Sequence, residues 1–363
     1  MQLHNLVVEK LVIPFTMEFQ HSTASRVSTE AIIVKATTIS GVCGIGEGCP
    51  RSYVTGETVD TAIDFFEIHR HALMELESIE DLKIWTSNNR TLIDDNPAAF
   101  CAIETALINA LALEDNQSIE NVLSLPELSG EYQYTGVLGT SNPHVFEDLL
   151  STYLKMGIND FKVKLFGKDS VDQLNLSTFE SHETGSARLR FDANNLWTKP
   201  DEALGYINKH GLGEFSIEEP LSTRNYPSLL AIFDQTGNRI ILDESFIQVN
   251  DFEHVYKTPE SWIVNIRVSK LGGLLRSIEV IEKSKQLGIP VIVGAQVGET
   301  SILTRAALAI ANSCREVLVA QEGAFGTHLL ERDIVDSPIM FGKGGTIRAQ
   351  QVPKNITIGA QSN

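Results

Sequence analysis

The stretch DFKVKLF, residues 160–166, is one of eight similar runs that together decide the fold of this chain. Each run is rich in β-branched residues and almost continuously hydrophobic, as expected for parallel strands that are buried on both faces. The eight runs are YTGVLGT (134–140), DFKVKLF (160–166), RLRFDANN (188–195), FSIEEP (215–220), RIILDES (239–245), WIVNIRVSK (262–270), PVIVGAQV (290–297) and VLVAQEG (317–323). Segments such as PDEALGYINKHG (200–211) lie between them, can each form one helix, and in several cases end in glycine.

Eight strand–helix units within about 190 residues are typical of a (β/α)₈, or TIM-type, barrel. The number of units also permits an open, doubly wound sheet. That alternative is often marked by a glycine-rich dinucleotide-binding loop. The candidate segment, GVCGIGEG (41–48), is followed by CPRSYVTGET rather than by a helix. We therefore predict an α/β protein built on a (β/α)₈ barrel.

The residues on either side of these runs predict a second domain. The first 50 residues alternate as strands do, most clearly in STEAIIVKATT (28–38), and residues 58–116 have helical periodicity. Strands followed by helices indicate an N-terminal α+β domain. We expect this domain at residues 1–130, the barrel at 131–333, and a C-terminal segment, 334–363, that returns to complete the first domain.

Composition limits the classes of function. Lysine and arginine number 29 against 47 acidic residues, and a net charge of −18 opposes binding to nucleic acid or to anionic lipid. We expect no membrane span, since no run of about 18 apolar residues stands out, and no secretory signal. The four cysteines fit neither a zinc pattern nor a dense disulfide framework, so a reducing cytoplasm is expected.

Polar residues stand where four successive strands end, which in a (β/α)₈ barrel is the face that carries the active site. Intervals of 28, 26 and 25 residues separate Lys164, Asp192, Glu218 and Asp243, and one strand, one helix and two short loops need about that many residues. Lys162 precedes Lys164 by two positions, so both side chains point to the same side of the strand.

Three carboxylates on adjacent strands repel one another unless a cation lies between them. Oxygen ligands in a rigid frame suit Mg²⁺, so Asp192, Glu218 and Asp243 predict a magnesium site. For any one of them, a helix cap or an ion-pair partner is the simpler interpretation. Three in register beside a lysine pair are harder to explain in that way.

The ordered set FKVKLF, FDANN, IEEP and LDES resembles the enolase superfamily, and within it the muconate-lactonising (muconate cycloisomerase or mandelate racemase-like) enzymes. The resemblance covers nearly the whole chain. PFTMEFQHSTASR (14–26) and PRSYVTGET (50–58) resemble the two N-terminal loops that cap the barrel and select the substrate. The resemblance implies that Asp192, Glu218 and Asp243 bind Mg²⁺, that Lys164 is the catalytic base, and that Lys162 contacts the substrate carboxylate and lowers the pKa of the base. It also implies a homo-oligomer.

The sixth run departs from this family pattern. In NIRVSKLGG (265–273) the position of the family's second catalytic lysine falls on Arg267, and Lys270 has the opposite parity. An arginine stays protonated, which makes it a poor base and a good clamp for a carboxylate. A one-residue bulge would instead bring Lys270 to the substrate, so both residues remain candidates.

The seventh run and its neighbours complete the expected site. VGAQVGETS (293–301) has Ala295 near the position where mandelate racemase-like relatives carry a catalytic histidine, so a histidine–aspartate dyad is not expected. Further residues are expected to line the mouth or support the ligands, namely Asn194, Glu244, Gln296, Glu299 and Glu322. For Glu299, the alternative is a residue placed at a helix N-terminus by the helix dipole.

Removing a proton next to a carboxylate adds a second negative charge to that group, and a divalent ion together with Lys162 would stabilise the resulting enediolate, the arrangement known for enolase-superfamily sites. With Arg267 opposite Lys164, we expect a one-base cycloisomerase, isomerase or syn-dehydratase acting on a small carboxylate. The alternative is a racemase or epimerase of N-acyl amino acids or dipeptides. A Schiff-base aldolase using Lys162 or Lys164 and a non-catalytic relative are more remote alternatives.

Overall fold

A computed structural model describes residues 1–20, 25–182, 184 and 187–357, with the backbone alone for residues 17–20 and 25. Within the first of the two predicted substrate-selecting loops, residues 21–24 lie outside this description, as do residues 358–363 of the C-terminal segment.

The N-terminal domain consists of a small antiparallel sheet and a set of helices. Strands β1, β4 and β5 pair in the order β1-β4-β5, and β2 and β3 form a separate hairpin. The strands are β1 (Leu3–Leu11), β2 (Pro14–Gln20), β3 (Ser25–Ser28), β4 (Ala31–Thr38) and β5 (Cys43–Gly48). The helices are α1 (Val59–Met74), α2 (Ile79–Asn88), α3 (Arg90–Asp94), α4 (Pro97–Glu114) and α5 (Ile119–Val122).

The glycine-rich segment GVCGIGEG, set aside above as a dinucleotide-binding loop, contains strand β5. Its glycines allow β5 to lie directly against α4. A Cβ atom at Gly44, Gly46 or Gly48 would lie 2.3, 2.1 or 2.0 Å from a backbone oxygen of α4. Alternate strand residues thus face successive helical turns, and the segment serves packing rather than phosphate binding.

Helix α4 is long and apolar enough, by length and composition, to cross a membrane. It is instead the central core helix of the N-terminal domain, because its residues 97–112 are buried by the protein.

The eight predicted strands form one parallel sheet in chain order, from β7 to β14. The amide of Thr135, next to the first strand, donates to Gln321 O on the last at 2.8 Å and so closes the curved sheet. The predicted (β/α)₈ barrel is therefore confirmed. The barrel strands are β7 (Gly136–Leu138), β8 (Asp160–Lys164), β9 (Arg188–Asp192), β10 (Ile217–Glu218), β11 (Ile240–Leu242), β12 (Trp262–Ile266), β13 (Val291–Val293) and β14 (Leu318–Gln321). Strand β6 (Glu131–Gln133) precedes the barrel, and β15 (Thr346–Arg348) follows it.

Helices follow most of the barrel strands and cover the outside of the sheet. They are α6 (Pro143–Met156), α7 (Asp169–Ser181), α8 (Pro200–Lys209), α9 (Tyr226–Thr236), α10 (Phe252–Val255), α11 (Val268–Leu271), α12 (Leu274–Leu287) and α13 (Ser301–Ser313). Short 3₁₀ helices lie at Val249–Asp251, Pro259–Ser261, Gly326–His328, Lys343–Gly345 and Ala349–Gln351.

The C-terminal segment returns past the barrel towards the N-terminal domain, as predicted. Strand β15 pairs antiparallel with β6. Further along, Arg305 of α13 donates to Pro353 O at 2.9 Å, and Asn355 Nδ2 donates to Gln117 O, in the N-terminal domain, at 2.7 Å. The residue limits proposed for the three segments remain predictions.

Buried glutamates of the N-terminal domain cap two barrel helices. Glu47 of β5 accepts the amides of Thr300 (3.0 Å) and Leu303 (3.2 Å) at the start of α13. Glu104 of α4 accepts the amides of Leu274 and Leu275 at the start of α12. These contacts fix the N-terminal domain over the barrel.

Candidate active site

Strands β8, β9 and β10 end at the same level, and this register assembles the predicted residues. Lys164 stands opposite Asp192, and Asp192 stands opposite Glu218. Asp243 follows directly after β11. Lys164 is 6% exposed and the three carboxylates are 1–2% exposed, so all four lie at the bottom of a deep site.

The two lysines of β8 have different surroundings. Lys162 Nζ lies 2.6 Å from Glu322 Oε2, 3.1 Å from Glu218 Oε2 and 4.0 Å from Asp192 Oδ2. Burial alone would lower the pKa of Lys162, but these carboxylates outweigh it and raise the pKa above its ordinary value. Lys164 Nζ lies 3.9 Å from Asp192 Oδ2, and burial, aided by the charge of Lys162, lowers its pKa.

Arg267, at the end of β12, faces the cavity, and Lys270 does not. The Arg267 guanidinium donates to the Asp243 carboxylate and, at 3.0 Å, to Gln296 Oε1. Lys270 is 1% exposed and lies behind the site, where Nζ donates to Asp243 O at 2.7 Å and to Asn265 O at 2.8 Å. Helix α11 begins at Val268, so no extra strand residue turns Lys270 inward. Lys270 therefore supports Asp243 and is placed away from the substrate.

The other predicted residues divide into two groups. Asn194, Gln296, Glu299 and Glu322 line the cavity. Glu244 does not: it is buried, its Oε2 has no hydrogen-bond partner among the described residues, and burial raises its pKa to about 8.

Glu219 holds the end of β11 in place, a role that the sequence did not suggest. Its backbone has φ of +41°, and its carboxylate accepts the amides of Asp243 and Ser245, both at 2.7 Å. The Ser245 hydroxyl adds a third hydrogen bond at 2.8 Å. These bonds direct Asp243 towards the site.

Arg190 and Tyr53 also belong to the site and were not predicted. Arg190 donates to Glu322 Oε1 at 3.0 Å and to Asp160 Oδ1 at 2.8 Å. Arg190 precedes Asp192 by two positions on β9, so strand alternation places both side chains on the same side of the strand and could have identified Arg190. Tyr53, in the second predicted loop, lines the cavity, and nothing in its local pattern marked it.

The residues fit a hard divalent cation by donor type, since Asp192, Glu218 and Asp243 offer only carboxylate oxygens. Burial, with the neighbouring carboxylates and against Lys162, raises the pKa of Glu218 well above its usual range, which indicates an excess of buried negative charge. No group of three His, Cys, Asp or Glu side chains converges tightly enough for a metal anywhere in the described ranges. Arg267 and Lys162 instead pair with Asp243 and Glu218.

Comparison with known proteins adds to this geometry. Residues 146–353 match the family described as enolase C-terminal domain-like. The L-Ala-D/L-Glu epimerase of Bacillus subtilis (strain 168) is 26% identical over 366 residues, which cover 99% of this chain and 98% of the epimerase. The chloromuconate cycloisomerase of Cupriavidus pinatubonensis is 23% identical over 315 residues, covering 86% of this chain and 84% of that enzyme.

Solved structures share the fold. The dipeptide epimerase of Enterococcus faecalis V583, solved in complex with Mg and the dipeptide L-Leu-L-Tyr, superimposes with a TM-score of 0.82 at 22% identity, covering 96% of this chain and 97% of that one. Several other curated relatives are named as epimerases or racemases of amino-acid derivatives.

Proposed function

The chain belongs to the enolase C-terminal domain-like family, and on that premise we propose that it is an isomerase that removes the proton next to a substrate carboxylate, with Lys164 as the base. The observation that carries the proposal is the pair of lysines on β8. The pKa of Lys164 is lowered while that of Lys162 is raised. The lowered pKa increases the neutral, proton-accepting fraction of Lys164, while the raised pKa keeps Lys162 charged.

Each charged group of the site then has a distinct task. Lys162 is held protonated by Glu322, 2.6 Å away, and places a positive charge near the carboxylate that gains negative charge. Arg267 provides a second cation from β12. Lys270 keeps Asp243 oriented from behind through its contact with Asp243 Oδ1 at 2.9 Å.

We propose that Asp192, Glu218 and Asp243 hold Mg²⁺, as the donor chemistry of the three carboxylates and the Mg-complexed relative support. When bound, the ion would stabilise the negative charge that develops on the substrate carboxylate. Arg267 and Lys162 must release Asp243 and Glu218 for the ion to be held, and both are then available to the substrate.

The names of the relatives support epimerisation or racemisation of an amino-acid derivative. Arg267 favours a second candidate, a one-base isomerisation or syn elimination. Burial would lower the pKa of Arg267, but Asp243, Glu244 and Glu218 raise it above its already high ordinary value. Arg267 therefore keeps its proton and cannot act as the base on the opposite face.

The geometry opposes Lys162 as the nucleophile of a Schiff-base aldolase. The amine of Lys162 is paired with Glu218 and Glu322, which keeps it protonated and non-nucleophilic. The three carboxylates would also have no role in such a reaction.

Hydrogen exchange in D₂O tests the proposal. The full-length chain with Mg²⁺ is incubated with N-acyl amino acids, dipeptides, muconates and sugar acids, and deuterium at the α-carbon is followed by mass. Exchange with inversion identifies an epimerase, and exchange with retention identifies the one-base reaction. The proposal is wrong if no member exchanges, or if Lys164→Ala exchanges as fast as the unaltered chain.

A further inference from the structure

A small hydrophobic cluster, separate from the main core, lies where the N-terminal domain meets the barrel mouth. We call it the satellite cluster, and its members are Leu11, Ile13, Phe15, Val297, Phe325, Leu329 and Leu330. Backbone hydrogen bonds fasten its two halves together. The amide of Thr16 donates to Leu329 O at 2.8 Å, and the amide of Glu331 donates to Pro14 O at 3.0 Å. The cluster is thus a built part of the fold.

Four members of the satellite cluster also line the cavity that contains Lys164. They are Val297, from the loop after β13, and Phe325, Leu329 and Leu330, from the segment after β14. The same cavity contains the charged groups at the strand ends. The cavity therefore has a charged floor and an apolar wall. This arrangement suits a molecule with one charged end and one apolar end.

Of the acidic side chains that line the described part of the cavity, Asp192 lies at the charged floor, and Glu322 and Glu299 are already engaged. Glu322 accepts from Lys162 at 2.6 Å and from Arg190 at 3.0 Å. Glu299 Oε1 accepts the Gln296 amide at 2.6 Å, and burial raises its pKa to about 8, so it is mostly neutral at pH 7. Against the apolar wall a cationic group would be desolvated, and the side chains that the structure describes there offer it no ionised partner, which is costly. An anionic group would meet the same cost.

We infer that the substrate is a carboxylate whose remote part is uncharged and apolar, and that this part packs against the satellite cluster. The inference rests on the proposed function, since the carboxylate must lie at Lys162 and Lys164. The apolar part can be an acyl group on the amino nitrogen or the side chain of an amino acid. Both have the same chemistry, and the two can be separated by experiment.

The experiment compares isosteric pairs with the Mg²⁺-loaded full-length chain, following α-deuterium incorporation as kcat/KM. One arm varies the acyl group on L-alanine, from acetyl to pentanoyl, with 4-aminobutanoyl and succinyl as the charged members. The other arm varies the side chain of N-acetyl amino acids and pairs norleucine with ornithine. In the arm that reaches the wall, kcat/KM should rise about fourfold for each methylene. The charged members should be at least about 100-fold poorer.

Variants locate the effect. Val297→Thr keeps the shape of the side chain and adds a hydroxyl, so it should lower the preference for the longer apolar member over the acetyl member several-fold. Phe325→Ala should flatten the dependence on chain length, with thermal melting measured to show that the variant folds. Leu174→Ala, on a side chain that is 48% exposed, is the matched control and should behave as the unaltered chain.

The outcomes separate the two claims. Exchange that is equal or faster with the ammonium or succinyl members overturns the apolar assignment and leaves Lys164 as the base. A chain-length dependence that is unchanged in both Val297→Thr and Phe325→Ala also overturns it. Absence of exchange from every member overturns the proposed function itself, and the apolar assignment with it.

Discussion

Lys162 and Lys164 stand two positions apart on β8, yet their surroundings shift the pKa values of the two amines in opposite directions. Lys162 is surrounded by carboxylates, and the buried Lys164 Nζ lies 3.9 Å from Asp192 Oδ2. A low pKa increases the neutral, proton-accepting fraction of Lys164 at a given pH. Because Lys164 is active when it is neutral, the exchange rate should rise with pH through its lowered pKa and level off above it.

Substituting Lys162 should move this pH profile. In Lys162→Met the loss of a neighbouring positive charge raises the pKa of Lys164, so the rising limb should shift to higher pH by about 1 unit. The plateau should fall by about 10²-fold, because one stabilising charge is lost. The measurement is the exchange rate from pH 6 to 10. Lys283→Met, at an exposed position, is the control. A limb that does not move would show that Lys162 does not tune Lys164.

Arg267 decides whether a second acid–base group is present. Arg267→Lys replaces a guanidinium that holds its proton with an amine that can exchange one, so the ratio of inversion to α-proton exchange should increase by at least about tenfold. Polarimetry and mass spectrometry on one sample give the two rates. The exposed Arg348→Lys should change neither rate. An unchanged ratio in Arg267→Lys would mean that protonation on that face does not pass through β12.

Much of the site was predictable at the residue scale because strand ends impose a strict alternation. Parity placed Lys162 with Lys164 and favoured Arg267 over Lys270, and the structure has that arrangement. The same rule explains Glu244, which was expected at the mouth: it follows Asp243, which is directed inward, and so points away. The partners of Lys270 and the role of Glu219 depend on contacts between different strands, which one sequence does not display.

At the scale of elements, the loop between β13 and α13 is held by the N-terminal domain. Arg51 is 1% exposed, and its guanidinium donates to Glu30 O (2.8 Å), Pro50 O (2.7 Å) and Val297 O (2.6 Å). The adjacent Gln296 accepts from Arg267. Arg51 therefore connects the second N-terminal loop to the charged group opposite Lys164.

Removing Arg51 should affect catalysis as well as folding. Arg51→Met removes the donor from one buried carbonyl, Pro50 O, and from two part-buried ones, Glu30 O and Val297 O. The cost is up to about 1–3 kcal/mol for each one that stays unpaired. Displacement of Gln296 should lower kcat by about 10- to 100-fold, and Arg51→Lys should recover part of it. Chemical denaturation and exchange kinetics measure the two effects. Arg348→Met, at an exposed ion pair, is the control. A loss of stability with an unchanged kcat would limit Arg51 to a structural role.

The contact of β5 with α4 offers a test of packing alone. Gly46→Ala places a Cβ atom 2.1 Å from Ala102 O, so strand and helix must separate, and the free energy of unfolding should fall by about 3 kcal/mol or more. Gly205→Ala, in α8 with no atom near its added Cβ, should instead raise it by up to about 1 kcal/mol. Denaturant titrations compare the two variants. Equal effects would contradict the close contact.

The packing role of these glycines could not be predicted from the sequence. The eight barrel strands were identified because each is short, apolar and followed by a helical segment. Gly44, Gly46 and Gly48 matched a loop pattern, because their partner α4 lies about 50 residues further along the chain. The contact between β5 and α4 in the folded chain explains why these three positions are glycines.

At the scale of the whole molecule, an intact site requires the N-terminal domain to be seated on the barrel. Tyr53 comes from the N-terminal domain, and the other described residues that line the cavity come from the barrel. Sequence patterns identified both domains, but the buried contacts that join them were not visible. The expected cytoplasmic location, the homo-oligomer, and the absence of nucleic-acid and membrane partners remain predictions.

The buried glutamates at this junction should make stability depend on pH. Burial raises the pKa of Glu47 to about 7 and that of Glu104 to about 8, from 4.5. Between pH 4.5 and the raised pKa of each glutamate, the folded chain keeps a proton on that side chain that the unfolded chain has released. The free energy of unfolding therefore falls as pH increases, by at most about 1.4 kcal/mol per pH unit for each group.

Glu104→Gln tests this linkage, because glutamine resembles the protonated acid at every pH. The decrease in unfolding free energy between pH 5 and pH 8 should be smaller in the variant by about 1–3 kcal/mol. Near pH 5, where Glu104 is protonated in the folded chain, the two proteins should differ least. Thermal melting across this range measures the effect, and Glu80→Gln, at an exposed ion pair, is the control. If Glu104→Gln followed the pH dependence of the unaltered chain, Glu104 would be ionised in the folded protein, and its bonds to the amides of Leu274 and Leu275 would outweigh its burial.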